Sequence, residues 1–244
     1  MASNRTLRVV STLLLLAASA AGGWTASAWY AGQPSRVARR FSEMYWERHI
    51  PHNLTFWLGI QTQQAPTDLW TIQQILYDVK PEFVIETGTL NGGSALFHAM
   101  VLREINPHAR ILTIDIEPHV DQASHHAVFS EMVEVSTASS TSPETLAAVS
   151  KRVRGHRTLV LLDSNHTKEH VSRELHLYGP LVSVGSYMIV HDTNLYGEGK
   201  PVVEGPLAAV RDFVTGNPQF QIDRHREMMM LTLSSSGYLK KVRE

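Results

Sequence analysis

Phe83-Val-Ile-Glu-Thr-Gly-Thr-Leu-Asn-Gly-Gly-Ser-Ala-Leu-Phe97 runs from a short apolar stretch through an acid and a glycine turn into a helical pattern. It reads as a buried strand, a ligand-cradling turn and a helix. Gly88, Gly92 and Gly93 let the backbone approach a ligand closely, and Ser94 is placed to cap a helix whose first amides face a polar or anionic group. Glu86, at the carboxyl end of the strand, is placed to accept a hydrogen bond or face a cation. Three residues separate Gly88 from the glycine pair, so the spacing is not the dinucleotide G-x-G-x-x-G. No Gly-Lys-Ser/Thr follows either, which excludes a P-loop. An ordinary tight turn would look the same by itself, so the rest of the chain decides.

A helix over residues 95–105 leads into Arg110-Ile-Leu-Thr-Ile-Asp-Ile-Glu-Pro118, a second apolar strand that ends in Asp115. An acid there suits the two hydroxyls of a ribose, as it does in dinucleotide folds. Apolar runs recur at 132–135, 158–162, 187–190 and 228–233, with amphipathic helical patterns at 143–153, 168–178 and 206–214 between them. Alternation on this scale predicts an α/β fold, a mostly parallel sheet with helices on both faces. Ligands of such sheets lie outside the carboxyl ends of the strands. Glu86, Asp115, Ser139, Asp163, His191 and Asp192 all fall there.

Leu161-Leu-Asp-Ser-Asn-His166 and Met188-Ile-Val-His-Asp-Thr-Asn194 form a second constellation. Asp163 ends one strand and His191 with Asp192 ends the next, so adjacent strands would bring three potential metal ligands to one rim. Oxygen donors suit Mg²⁺, and an imidazole among them admits Mn²⁺, Fe²⁺ or Zn²⁺. His166, three residues beyond Asp163, is placed to act as a base on a substrate hydroxyl. Taken singly, each has a plain structural reading, as a helix cap for an aspartate or a satisfied core histidine.

These residues carry a family resemblance. From about Trp57 to Leu239 the chain resembles the cephalosporin hydroxylase / rhamnosyl O-methyltransferase family, a branch of the class I S-adenosylmethionine-dependent methyltransferases. The resemblance rests on Ile85-Glu-Thr-Gly-Thr-Leu-Asn-Gly-Gly-Ser94, Ser139-Ser-Thr-Ser-Pro-Glu144, Asp163-Ser-Asn-His166, Tyr178-Gly-Pro-Leu-Val182, Gly185-Ser-Tyr187, Val190-His-Asp-Thr-Asn194 and Gly237-Tyr-Leu-Lys240. It implies a Rossmann-like seven-stranded sheet whose last strand is antiparallel. By the same resemblance the glycine turn (Glu86, Gly88, Gly92, Gly93, Ser94) holds the methionine moiety of S-adenosylmethionine, Asp115 its ribose, and Ser139 and Ser140 its adenine side. Asp163, His191 and Asp192 match the family's divalent-metal position, for Mg or Mn, and Asp163 with His166 falls on its catalytic positions. The family commonly has Glu-Asp where this chain has His191-Asp192. That exchange of a carboxylate for a neutral imidazole lowers the expected affinity for Mg²⁺.

Composition agrees. With 244 residues and 43% hydrophobic content there is material for one sizeable core. A formal charge of −1 argues against nucleic acid as partner. The absence of cysteine excludes disulfides and thiolate metal sites. Residues 1–34 read as an N-terminal hydrophobic helix, either a membrane anchor or a signal segment. Residues 9–30 would span roughly 33 Å as a helix, with Trp24, Trp29 and Tyr30 at one interface. Small residues at Ala18-Ser-Ala20 and Ala26-Ser-Ala28 leave signal cleavage, and export, open. The anchored form is preferred, with a cytoplasmic catalytic domain because the cofactor is cytosolic. Residues 35–70, with Phe41, Tyr45, Trp46, Trp57 and Trp70, read as an aromatic-rich lid or linker that forms a sugar-stacking wall, a homo-oligomer contact or plain packing. Residues 71–244 read as the methyltransferase domain.

Three functions remain open at this level. The first is metal-assisted O-methylation of a hydroxyl on a sugar, glycolipid or secondary metabolite. The second is an oxygenase using His119-Val-Asp121, and the third is a membrane-tethered relative without activity.

Overall fold

The computed structural model describes residues 37–194, Arg39 excepted, and 205–244. The hydrophobic segment at 1–34 lies outside the described residues. The chain divides into two units, Met1–Met44 and Tyr45–Glu244. In the first, Arg40 pairs with Glu43 at 3.5 Å.

The seven-stranded sheet is present. Its order is β5-β4-β3-β6-β7-β9-β8, built from β3 (Phe83–Thr87), β4 (Arg110–Asp115), β5 (Val133–Thr137), β6 (Thr158–Leu162), β7 (Tyr187–Val190), β8 (Phe220–Ile222) and β9 (Tyr238–Lys241). β3, β4, β5, β6 and β7 pair in parallel, and β9 is antiparallel to both β7 and β8. The expected strand at 228–233 does not form. Met228, Met229 and Met230 lie in an exposed turn, with Met230 at φ 65°, Leu233 is buried outside the sheet, and the strand partners of β7 and β9 come from Tyr238–Lys241 and Phe220–Ile222 instead.

Alternation along the central strands explains the two layers. Val84, Ile111, Leu159, Leu161 and Ile189 face one core with helices Pro66–Val79 and Gly93–Ile105. Phe83, Ile85, Leu112, Val160, Leu162 and Val190 face the other, with helices Pro143–Val153, Lys168–Tyr178 and Pro206–Gly216. Both faces are covered, so β3 and β6 are buried throughout. β5, at the sheet edge, is largely exposed.

The segment read as a lid is part of this unit from Tyr45 onward. It forms helix Ile50–Leu54, the hairpin β1 (Phe56–Trp57) and β2 (Ile60–Gln61), and the start of helix Pro66–Val79. Trp57 packs edge-on against Phe97 at 4.9 Å, pinning the hairpin to helix Gly93–Ile105.

Candidate active site

A cleft of about 660 Å³ opens outside the carboxyl ends of β3, β4, β6 and β7. The turn after β3 forms its floor. Asp115 clamps that turn: its Oδ2 accepts hydrogen bonds from the Thr89 and Leu90 amides at 2.8 and 2.9 Å, and its Oδ1 accepts from the Glu117 amide at 2.9 Å. The carboxylate also lines the cleft, with one acceptor site on Oδ1 left for a ligand.

The glycines answer first to the protein itself. A Cβ on Gly88 would run into the backbone carbonyl of Asp163, and one on Gly93 into that of Gln61. Gly92 sits at φ 77°, where its Cβ would press on Phe129 at 3.0 Å and Ala123 at 3.2 Å. It does not line the cleft, whereas Gly88 and Gly93 do. Gly92, not Ser94, is the N-cap of helix Gly93–Ile105. The Ser94 hydroxyl instead donates to Glu86 Oε1 at 2.8 Å.

Glu86 lies beneath the cleft and does not line it. Strand alternation turns it away from Ile85 and toward helix Gly93–Ile105, where its Oε2 accepts from Thr113 at 2.7 Å and His98 Nδ1 lies 3.8 Å from its Oε1. Burial raises its carboxyl to about 7, against the opposing bonds from Thr113 and Ser94. Direct contact with a cofactor, as expected from sequence, is replaced by support of Ser94 and the turn.

Ser139 and Ser140 both reach the cleft. Ser139 is exposed, while Ser140 is buried with its hydroxyl 3.2 Å from His170 Nε2 and its carbonyl accepting from Tyr178.

The metal-capable cluster is Asp163, His166 and Asp192, whose ligand atoms all lie within 4.8 Å of one another. His166 Nε2 stands 3.4 Å from Asp192 Oδ2. Burial, then the carboxylates of Asp192, Glu86 and Glu174, push Asp163 well above the usual range, opposed by one bond from Gln64. Burial raises Asp192 to about 7, and Asp192 is held at φ 56°, a left-handed backbone uncommon outside glycine. Burial also lowers His166, which favours a neutral imidazole.

His191 does not join the cluster. It is buried, with Nδ1 3.3 Å from the Ser234 hydroxyl, and burial lowers it to about 4. The physical reason is again alternation, since consecutive residues leaving β7 point opposite ways. Asp192 turns to the rim and His191 to the interior. His119 and Asp121 are exposed and, among the described residues, take no part in the cluster.

Sequence reasoning missed two residues. Gln64, in the linker before helix Pro66–Val79, donates to Asp163 Oδ2 at 2.7 Å. Nothing local marks it. Glu174 is fully buried, accepts from the Ser164 hydroxyl at 2.7 Å and lies 3.4 Å from His170 Nε2. Its signal was legible: an acid in the apolar stripe Val171, Leu175, Tyr178 of a helix.

The residues suit their cargo. The described lining of the cleft contains Asp115, Asp163 and Asp192 and no lysine or arginine. Such a site favours cations, both a sulfonium and a divalent metal.

The sheet order, the single antiparallel strand and a cleft over the glycine turn define a class I S-adenosylmethionine-dependent methyltransferase. The family model described as Rhamnosyl O-methyltransferase/CmcI matches residues 51–242, and the chain belongs to that family. It is 30% identical over 218 residues to a rhamnosyl O-methyltransferase of Mycobacterium leprae, covering 83% of this chain and 90% of the relative. A Mycobacterium tuberculosis H37Rv protein of the same name is 30% identical over 210 residues, covering 83% and 84%. A CmcI structure with Mg and SAM shares the fold at a TM-score of 0.59 and 14% identity, covering 78% of this chain and 77% of that one. The methyltransferase name of these relatives, and the place of His119 and Asp121 outside the cluster, do not favour the oxygenase reading.

Proposed function

We propose that this methyltransferase is metal-assisted and transfers the methyl group to a hydroxyl of a sugar, glycolipid or related metabolite. The observation that carries it is the convergence of Asp163, His166 and Asp192 on the rim of the cleft whose floor is the glycine turn. The relatives' name, rhamnosyl O-methyltransferase, supports a sugar hydroxyl as acceptor.

Asp163 and Asp192 fit a divalent cation: they are crowded carboxylates of raised pKa that a cation would relieve. Bound there, a cation supplies charge that orients an acceptor oxygen and eases its deprotonation. The protein does the rest. His166, kept neutral by burial, takes the acceptor proton on its imidazole, and Asp192 beside it stabilises the imidazolium that forms. Asp115 and the Thr89–Leu90 amides fix the floor on which the cofactor rests, with Ser139 and Ser140 at the adenine end. S-adenosylmethionine is itself a strong methyl donor, so orientation and proton removal are what the site contributes.

The test is transfer of labelled methyl from S-adenosylmethionine to glycosides and glycolipid extracts, with and without chelator. Transfer that ignores chelation and survives Asp163→Ala would leave a metal-free transferase.

The 9–30 segment is proposed as an uncleaved anchor with the catalytic unit on the cytoplasmic side. Its uncharged apolar sequence supports this reading. Among the described residues no helix is long and apolar enough to cross a membrane. Intact mass of the mature chain tests the proposal, since a start at Ala21 or Trp29 means cleavage and export.

A further inference from the structure

We infer that Trp46, with His52 at its edge, is the platform on which the ring of a pyranosyl acceptor stacks, on the carboxylate side of the cleft. The inference rests on the O-methyltransferase reading above and assigns the acceptor's place within it.

Of the aromatic residues that the sequence gathers before the sheet, those in the unit Tyr45–Glu244 have distinct fates. Tyr45 is buried in a small apolar cluster. Trp57 packs on Phe97 and donates its indole N–H to the Met100 sulfur at 3.2 Å. Trp70 is 59% exposed on helix Pro66–Val79 and does not line the cleft. Trp46 lines it, half-buried, with the His52 ring edge-on at 5.0 Å.

The support beneath the indole locates it. Trp46 packs against the cluster of Tyr45, Ala65 and Leu233. Ala65 directly follows Gln64, whose amide holds Asp163. The Leu233 carbonyl accepts from the Asn194 amide at 3.3 Å, and the Thr193 hydroxyl donates to the Ser235 carbonyl at 2.6 Å, so the segment around Leu233 holds the two residues after Asp192. Trp46 is therefore built onto the segments that carry both carboxylates. A second brace ties the wall to the glycine turn: Gln61 donates to the His52 carbonyl and accepts from Asn91 at 2.7 Å.

The chemistry of the wall fits a sugar. A pyranose offers one apolar C–H face and a rim of hydroxyls. The indole covers the face, while Gln61, Gln63 and His166, all on the cleft lining, meet the rim. The His52 Nδ1 is a buried nitrogen without a protein partner in that wall.

The experiment titrates the full-length chain, saturated with S-adenosylhomocysteine, with phenyl α-L-rhamnopyranoside and separately with catechol, followed by saturation-transfer difference NMR and calorimetry. The expected result is saturable rhamnoside binding that weakens roughly tenfold or more in Trp46→Ala, the scale of a lost aromatic contact, and less than about threefold in Trp46→Phe. The S-adenosylhomocysteine affinity should be equal in all three proteins, which also shows that the variants fold. Rhamnoside binding that is absent from the wild-type complex, unchanged in Trp46→Ala, or weaker than that of catechol overturns the inference. Loss of S-adenosylhomocysteine binding by the wild type is a separate outcome that removes the methyltransferase reading beneath it.

Discussion

The side-chain amide of Gln64 donates a 2.7 Å hydrogen bond to Asp163 across 99 residues of sequence. It is the one bond opposing the burial and neighbouring carboxylates that raise Asp163. A segment that reads from sequence as a linker thus orients a residue of the catalytic cluster. Partners that orient metal ligands are typically worth about 10–100-fold in metal affinity or activity. Gln64→Leu should weaken Mn²⁺ binding on that scale while S-adenosylhomocysteine binding holds, and calorimetric titration of both ligands checks it.

Asp163 and His166 separate by role. Asp163→Ala should abolish turnover and leave S-adenosylhomocysteine binding intact. His166→Ala should slow turnover by about a hundredfold or more, the scale of general-base catalysis, with Mn²⁺ affinity little changed. A large loss of Mn²⁺ affinity in His166→Ala would make this residue a ligand and not the base. Single-turnover rates beside metal titrations decide between them.

Gly88 and Gly92 should fail differently. A Cβ at Gly92 meets the Phe129 ring, which can shift, so Gly92→Ala should cost about 1–3 kcal/mol of stability with cofactor affinity largely kept. A Cβ at Gly88 meets the backbone of Asp163, which cannot move without displacing the cluster. Gly88→Ala should therefore lose more stability and turnover as well. Urea unfolding, paired with S-adenosylhomocysteine calorimetry, reads both effects.

Glu86 sets a pH dependence of stability. Its carboxyl titrates near the ordinary 4.5 when unfolded and at about 7 when folded. Between those values the folded state binds the extra proton, so stability falls as pH rises through that window. Glu86→Gln should remove this slope and be more stable than wild type at pH 8, with the advantage shrinking below pH 5. Melting temperatures at several pH values measure it, and parallel curves for the two proteins would contradict the assignment.

His191 offers a contrast with the family pattern. It is buried against Ser234 and absent from the cluster, so His191→Glu should bury a carboxylate without a cationic partner and destabilise the fold. A clean gain of Mg²⁺ preference at unchanged stability would instead place residue 191 among the ligands.

Much was legible in the chain alone. The apolar runs of β3, β4, β6 and β7 and their helices announced a doubly covered sheet, because a strand buried on both faces needs no polar alternation. Strand ends marked the rim, which brought out Asp115, Asp163 and Asp192, and the motifs between Ile85 and Lys240 pointed to the family. The 228–233 run misled because three methionines are apolar wherever they sit, and here they lie in an exposed turn.

Tertiary structure decided which of those residues face a ligand. Whether a strand-end residue looks into the cleft or the core depends on the pleat and on what packs behind it. That parity sent Asp192 outward, His191 inward to Ser234, and Glu86 beneath the floor to Ser94 and Thr113. Contacts between distant segments carry no local pattern, so Gln64 on Asp163 and Trp46 in the cleft wall emerged only once the hairpin was folded over helix Gly93–Ile105. Sequence determined the class of chemistry through residue types at strand ends, and packing assigned each of them its side of the sheet.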